Sequence, residues 1–461
     1  MLTERLYPRC AMMSWHARRA GATIPLAGRL LKKCPAGQGF SGDIVATQLN
    51  ARPATGSKSW RQTFRAFRHY NYRLYFFGLL VSVIGSFGQT VAQGWLVYEL
   101  TNSPLALGQV TFVAAIPVLM FGPWAGVVID RTSRRTLLMI TQAVQMLQAF
   151  TLAALTFTGH IQVWHIMILS GVLGLTNAFD APARQSIVVE LAGKEDLSNA
   201  IALNSTLFSL ARAVGPAIGG LVVAGLGTAW AFTINGISFL AILISLLSMR
   251  LEKTILQPSS RSPLADLAEG LRFVWHQKTI MALMVIAMTV GLFGANFITL
   301  MPAVARDILG RDEVALGMLS GAAGVGSVAG ALVVAYLSGQ PGRGRHLNLI
   351  NLLFPLSLFA FSFSRSYPLS LLILVAVGTG YTPQLSLCNM LIQTNTPDHL
   401  RGRVMSVYTL LIFGSFPLGG LIAGSVADRW DVPTALAASA GAVLLIGLLL
   451  RVLVPQLKEM E

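Results

Sequence analysis

The residues with the most evident chemistry in this chain are charges set where charge is costly. The stretch GVVIDRTSRR, residues 126–135, places Asp130, Arg131, Arg134 and Arg135 between two long apolar runs. Asp180 and Arg184 are four apart, a spacing that puts two side chains on one face of a helix. Arg212 stands about 13 residues into another apolar run, near mid-bilayer at about 1.5 Å per residue. No carboxylate in the sequence lies at comparable depth. Ionisable groups in such places bind charged cargo, relay protons or latch moving parts, or else serve as structural donors. Enzyme-type constellations are missing. Cys10, Cys34 and Cys388 are too scattered for a disulfide framework or a metal site, and no CxxC, HExxH or Walker loop occurs. A membrane enzyme working on a lipid-linked substrate needs clustered acids, histidines or metal ligands at one membrane face; the sequence offers none, and no cofactor is expected.

The elements that must hold these charges are membrane spans. Hydrophobic residues make up 54% of the 461 positions and charged residues only 11%, against about a quarter charged in a soluble domain. The formal net charge of +15 does not point to nucleic acid. Of the 34 Lys and Arg residues, 13 fall in residues 1–73 and most others in short loops between apolar runs, a pattern that orients a membrane protein. Residues 1–58 are Arg-rich and acid-poor, and their longest apolar stretch, 22–31, is broken by Pro25, Gly28 and Arg29. They are expected to form a disordered cytosolic tail, with a transit peptide or a start codon placed too early as alternatives. WRQTFRAFRHYNYR, residues 60–73, reads as a basic, aromatic helix on the cytosolic membrane surface.

Twelve apolar segments follow, each long enough to cross a bilayer. They run over 74–98, 104–128, 136–158, 162–184, 199–224, 228–249, 279–304, 314–338, 346–364, 368–392, 403–426 and 432–454. The longest polar gap, 250–278, is expected as a cytosolic central loop between six-helix bundles at 59–249 and 279–455, with a short tail at 456–461. The expected fold class is an all-α membrane protein with twelve transmembrane helices in two six-helix pseudo-repeat bundles. With the N-terminus inside, the inner loops hold Arg131, Arg134, Arg135, Arg184, Lys194, Arg250, Lys253, Arg261, Arg272, Lys278, Arg343, Arg345, Arg401 and Arg403. The outer segments hold only Arg306, Arg311, Arg365 and Arg429. Both termini are therefore expected in the cytosol.

An internal repeat supports two related halves. Residues 194–225 and 396–424 each open with a polar turn ending in Leu, run into a mixed apolar helix and then show Pro followed by Gly-Gly. Repeated six-helix halves are a transporter design, with the substrate site between them.

Together with this topology, the loop GVVIDRTSRR resembles the signature loop of the major facilitator superfamily. Gly126, Asp130, Arg131, Arg134 and Arg135 fit the pattern, and Ser133 stands where the superfamily has a second Gly. GPAIGG, with Gly215, Pro216, Gly219 and Gly220, resembles the fifth-helix motif of the drug and antiporter branches. Small residues there let helices approach closely, and Pro removes a backbone hydrogen bond so that the helix can bend. NAFDAPARQSIVVEL (177–191) and LSNAIALNS (197–205) resemble more narrowly the enterobactin-exporter-like branch, also called transmembrane secretion effectors. The second half departs from the pattern, because its loop GQPGRGRH has basic residues but no Asp.

The resemblance implies alternating access by rocking of two bundles, in the cell inner (plasma) membrane. The implied function is export of amphipathic small molecules, drugs or siderophore-like metabolites, with protons as coupling ion and the protein acting as a monomer. A proton-coupled importer of a small anionic metabolite and a non-transporting membrane receptor remain alternatives. By the same resemblance, Asp130 is expected against the N-terminal end of span eleven near Arg401 to Val404, where the helix dipole favours an anion, and Arg131 and Arg134 are expected to reach toward Asp180. Asp180 and Glu99 are the span-end acids of the first half that can carry a proton, although Asp180 also has Arg184 as a partner. Arg212 contacts an anionic substrate group or donates to backbone carbonyls and amides. Gln89, Gln93, Asn204, Asn296, Asn389 and Gln393 are candidates for the cavity lining, with Phe87, Trp95 and Phe293 suited to a partly apolar cargo; each serves equally well as glue between helices.

Overall fold

The computed structural model describes residues 64–249, 263–337 and 340–460, apart from the side chains of residues 123, 126, 127, 130, 194 and 263–266. The tail at 1–58 and most of the central loop lie outside the described residues. So do the surroundings of Gly126 and the side chain of Asp130.

Among the described residues, twelve helices are long and apolar enough to span a membrane. In chain order they are α1 Tyr70–Thr101, α2 Pro104–Arg131, α3 Arg134–Phe157, α4 Val163–Gly193, α5 Glu195–Leu226, α6 Thr228–Ser248, α7 Lys278–Ile308, α8 Glu313–Leu337, α9 Arg343–Phe363, α10 Tyr367–Thr394, α11 Asp398–Arg429 and α12 Val432–Leu453. The inner end below is the end at which α1 begins, cytosolic by the loop charges. Within the first half α1 packs on α5 and α6, and α3 packs on α6; within the second, α8 packs on α10, and α9 on α10 and α12. The halves meet along α2 with α11 and α5 with α8.

Four stretches differ from the sequence expectation, each for a local reason. In the basic segment expected over 60–73, the described residues before α1 hold a 3-10 turn, Arg65–Arg68, ended by His69 in an extended conformation (φ −80°, ψ 117°), and residues 70–73 begin α1. The turn's backbone is held by a cluster of side chains described below and not by a helical ladder. The polar stretch 185–198, expected as a loop, is helical, because only Gly193 interrupts it, at φ 67°. α4 therefore projects past the apolar segment before α5 begins. The central loop contains an amphipathic helix, Pro263–His276, anchored where Arg403 of α11 pairs with Glu269. The C-terminal residues are not a free tail: a 3-10 turn, Pro455–Glu459, buries Leu457, and Met460 O accepts from Gly344 N at 3.0 Å.

α7 carries two π-helical segments, Val290–Gly294 and Val304–Ile308, with Pro302 between them. Such segments widen the turn and leave a carbonyl ladder that bends easily. The GPAIGG motif fixes how closely α5 approaches its neighbours. A β-carbon on Gly219 would stand 2.6 Å from the Gly88 Cα of α1, and one on Gly220 would stand 3.0 Å from the Gly317 Cα of α8. Any side chain at either position would have to push two backbones apart.

Candidate substrate cavity

A cavity of about 440 Å³ lies between the halves, within the range of small-molecule sites. Phe87, Gln93 and Gly94 of α1, Leu107 and Val110 of α2, and Arg212 and Pro216 of α5 line it from the first half. Phe297 and Met301 of α7, Ser320 and Ser327 of α8, Tyr381 of α10 and Phe416 of α11 line it from the second. The wall is mostly apolar and aromatic, which suits an amphipathic guest. Arg212 carries the one full charge among the described lining residues. Its guanidinium lies 6.0 Å from the centre of the Phe87 ring, at the outer limit for a cation–π contact.

The outer side of this cavity is closed by contacts between the halves. Tyr98 OH of α1 donates to the Asp307 carboxylate of α7, and Arg306 lies over the Tyr98 ring at 5.9 Å. Ser103 Oγ, just before α2, donates to Asp428 Oδ1 of α11 at 2.6 Å. Backbone packing continues the seal: a β-carbon on Gly108 would stand 2.5 Å from Gly420 O, and one on Gly424 would stand 2.7 Å from Pro104 O. A β-carbon on Gly402, near the inner end of α11, would meet nothing within 4 Å among the described residues.

The signature loop and its neighbours form a polar cluster inside the first half. Arg134 pairs with Glu190 of α4, and Arg135 Nη2 donates to Leu247 O at the end of α6 at 2.9 Å. Arg131 is exposed. Asp180 is buried and pairs with Arg184, one turn along α4. It also accepts from Thr141 Oγ1 at 2.9 Å and Gln142 Nε2 at 2.7 Å of α3, so its charge has several donors. The expectation that Arg134 reaches Asp180 is thus corrected. Glu190, made available by the extension of α4, lies nearer to the loop.

The polar candidates separate on inspection. Gln93 and Arg212 face the cavity, and Gln93 also donates to Ser170 Oγ of α4 at 3.0 Å. Gln89 does not line it. Gln89 is buried inside the first half, donating to Gln148 Oε1 at 3.2 Å and accepting from Asn235 Nδ2 at 2.7 Å. Asn296 is buried inside the second half, donating to Ser439 Oγ at 3.0 Å. Asn389 and Gln393 line a separate hollow near the inner end of α10, with Gln393 Nε2 donating to Asn389 Oδ1 at 2.6 Å. Asn204 is half-buried on α5, outside the cavity lining. Of the large side chains expected there, Phe87 lines the cavity, whereas Trp95 is buried in the core and Phe293 packs against it. Glu99 is exposed at the outer end of α1.

The sequence profile of the transmembrane secretion effector family matches residues 61–461. The chain belongs to this family. It is a multi-pass membrane transporter of the major facilitator type, a class that binds small molecules and does no covalent chemistry. The transporter is 29% identical over 398 residues to the multidrug efflux pump Tap of Mycolicibacterium fortuitum, spanning 84% of this chain and 96% of that one. It is 24% identical over 364 residues to the staphyloferrin A transporter of Staphylococcus aureus, spanning 78% and 90%. Its fold matches the nucleoside transporter NupG at a TM-score of 0.69 and 13% identity, covering 83% of this chain and 99% of that one. A D-xylose-proton symporter matches at 0.67 and 15%, covering 84% and 99%.

Three groups of residues in the transporter escaped the sequence reading. Tyr98 and Asp307 are unremarkable singly, and nothing short of the fold brings them together. Gln142, Gln145 and Gln148 repeat every three residues along α3, a visible stripe on one helix face that binds Asp180, Asn177 and Gln89. Asp196, almost fully buried, gathers Arg65 Nε at 3.1 Å, Arg68 Nε at 2.7 Å and His69 Nε2 at 3.0 Å at the α4–α5 kink.

Proposed function

We propose that the transporter exports amphipathic small molecules from the cytosol across the plasma membrane by alternating access, as a monomer driven by proton antiport. The observation that carries this reading is the central cavity: apolar and aromatic, built from both halves, and shut on the outer side by α1–α7 and α2–α11 contacts. In an exporter, that arrangement is the loading stage. Rocking the halves about the cavity then parts the outer contacts and closes the inner ends. The similarity to a multidrug efflux pump over most of both chains supports the direction.

The same reading gives the signature loop its role. Arg134 and Arg135 brace the inner ends of α3, α4 and α6, and the loop closes against α11 when the halves rock outward-open. The cavity wall carries Arg212 and no carboxylate among the described residues, so the coupling proton is assigned outside it.

Uptake of a fluorescent dye panel into inverted membrane vesicles tests the function. Concentrative uptake that needs an acid-inside gradient and collapses with a proton ionophore is expected. Uptake indifferent to the gradient would remove the antiport claim, and loss of dye from preloaded vesicles without uptake would reverse the direction.

A further inference from the structure

We propose that Arg212, Phe87 and Tyr381 form a subsite for the oxyanion and adjoining ring of an organic anion, so that the preferred cargo is acidic. This rests on the exporter reading above and narrows its substrate class. Three observations carry it.

First, Arg184 and Arg212 stand in different surroundings. Arg184 is largely enclosed and ion-paired with Asp180, which also accepts from Thr141 and Gln142. Arg212 makes no ion pair among the described residues and is exposed to the cavity it lines. Secondly, its depth is fixed by its neighbours. Phe87 lies midway along α1, Tyr381 midway along α10, and the Arg212 carbonyl packs on Gly324, midway along α8. The charge therefore sits near the midpoint of each of the helices around it.

Thirdly, an open cavity can hydrate a guanidinium, whereas a closed one cannot. When the inner ends close and water leaves, an uncompensated charge at this depth becomes costly. A carboxylate on the cargo removes that cost, and the planar fork of the guanidinium can hold it through two parallel N–H···O bonds. Phe87 on one side and the Tyr381 ring, itself set between Phe297 and Phe354, offer flat faces for an attached ring. A cationic cargo meets the opposite situation, with two like charges enclosed together.

Two xanthene dyes of similar size test the inference: anionic carboxyfluorescein and cationic rhodamine 123. Inverted vesicles with the wild-type protein should accumulate carboxyfluorescein in preference. Arg212→Gln should lower carboxyfluorescein uptake at least tenfold and raise rhodamine 123 uptake, with Arg212→Lys close to wild type for rhodamine 123. Fluorescence anisotropy on purified protein should show the same loss of carboxyfluorescein binding. On the unaltered protein, benzoate should displace the bound dye at concentrations where benzylamine does not, which keeps the test decisive if a variant fails to fold. Equal loss of both dyes in a folded Arg212→Gln protein, or equal displacement by benzoate and benzylamine, would overturn the subsite. Wild-type uptake of rhodamine 123 but not carboxyfluorescein would overturn it while leaving export intact. Arg212-dependent binding of carboxyfluorescein without any uptake would keep the subsite and remove export instead.

Discussion

The Tyr98 hydroxyl donates to the Asp307 carboxylate across the boundary between the halves, at the outer end of α1 and α7. It is a tie that rocking must break, so its strength biases the two end states. A hydrogen bond to a charged group contributes about 1.5–3 kcal/mol, which is a factor of roughly ten to a hundred in a conformational ratio. Tyr98→Phe and Asp307→Asn should each shift the population toward the outward-open state. Spin labels on Leu100 and Arg429, both exposed at the outer ends, should report a longer distance in either variant. An unchanged distance distribution would reduce the pair to a packing contact.

The fifth-helix motif makes a steric prediction. Gly220→Val drives two methyl groups toward Gly317 and the Glu313 carbonyl, and overpacking of this kind costs about 1–3 kcal/mol. The cost falls on the outward-closed state, in which α5 and α8 touch here. Dye uptake should fall at least tenfold while the amount of protein in the membrane stays near wild type.

The buried pair Asp180–Arg184 makes a prediction about stability. Removing one partner leaves the other charge enclosed, which costs about 3–5 kcal/mol for a buried pair. Asp180→Asn and Arg184→Gln should each lower the thermal midpoint in detergent markedly, and the double variant should lose less than the sum of the two. Additive losses would mean that the two side chains act separately, despite their contact.

The clasp at Asp196 orders the entry to α1. Arg65, Arg68 and His69 converge on it, Ala66 N donates to Asn199 Oδ1 at 2.9 Å, and Tyr72 OH donates to Ala200 O at 2.9 Å. Asp196→Asn should loosen this segment, so that trypsin cuts after Arg65 and Arg68 several-fold faster. Cutting at the wild-type rate would show that the backbone bonds alone suffice.

How much of this was legible in the residues depended on what each feature needed. The twelve spans could be read because length and hydropathy alone decide them, and Asp180–Arg184 because a four-residue spacing is local. The pairing of Arg134 with Glu190 could not. Polar residues from Arg184 to Lys194 lower the hydropathy and look like a loop, yet a helix leaving the membrane keeps its ladder in water, and only Gly193 stops it. Gln89 and Gln93 share a helix face in the sequence, but one turn of α1 separates a bundle interior from a cavity wall. Both side chains find polar partners on neighbouring helices, so composition cannot tell the two positions apart. Tyr98 and Asp307 are 209 positions apart; only the docking of the halves joins them.

Export coupled to protons is the central claim, and proton movement driven by cargo tests it most directly. Inverted vesicles are acidified inside, the gradient is followed with a quenched acridine dye, and a transported compound is then added. Coupled antiport predicts immediate dequenching as protons leave in exchange for cargo, absent from vesicles without the transporter. Cargo uptake with no dequenching in wild-type vesicles would contradict the account.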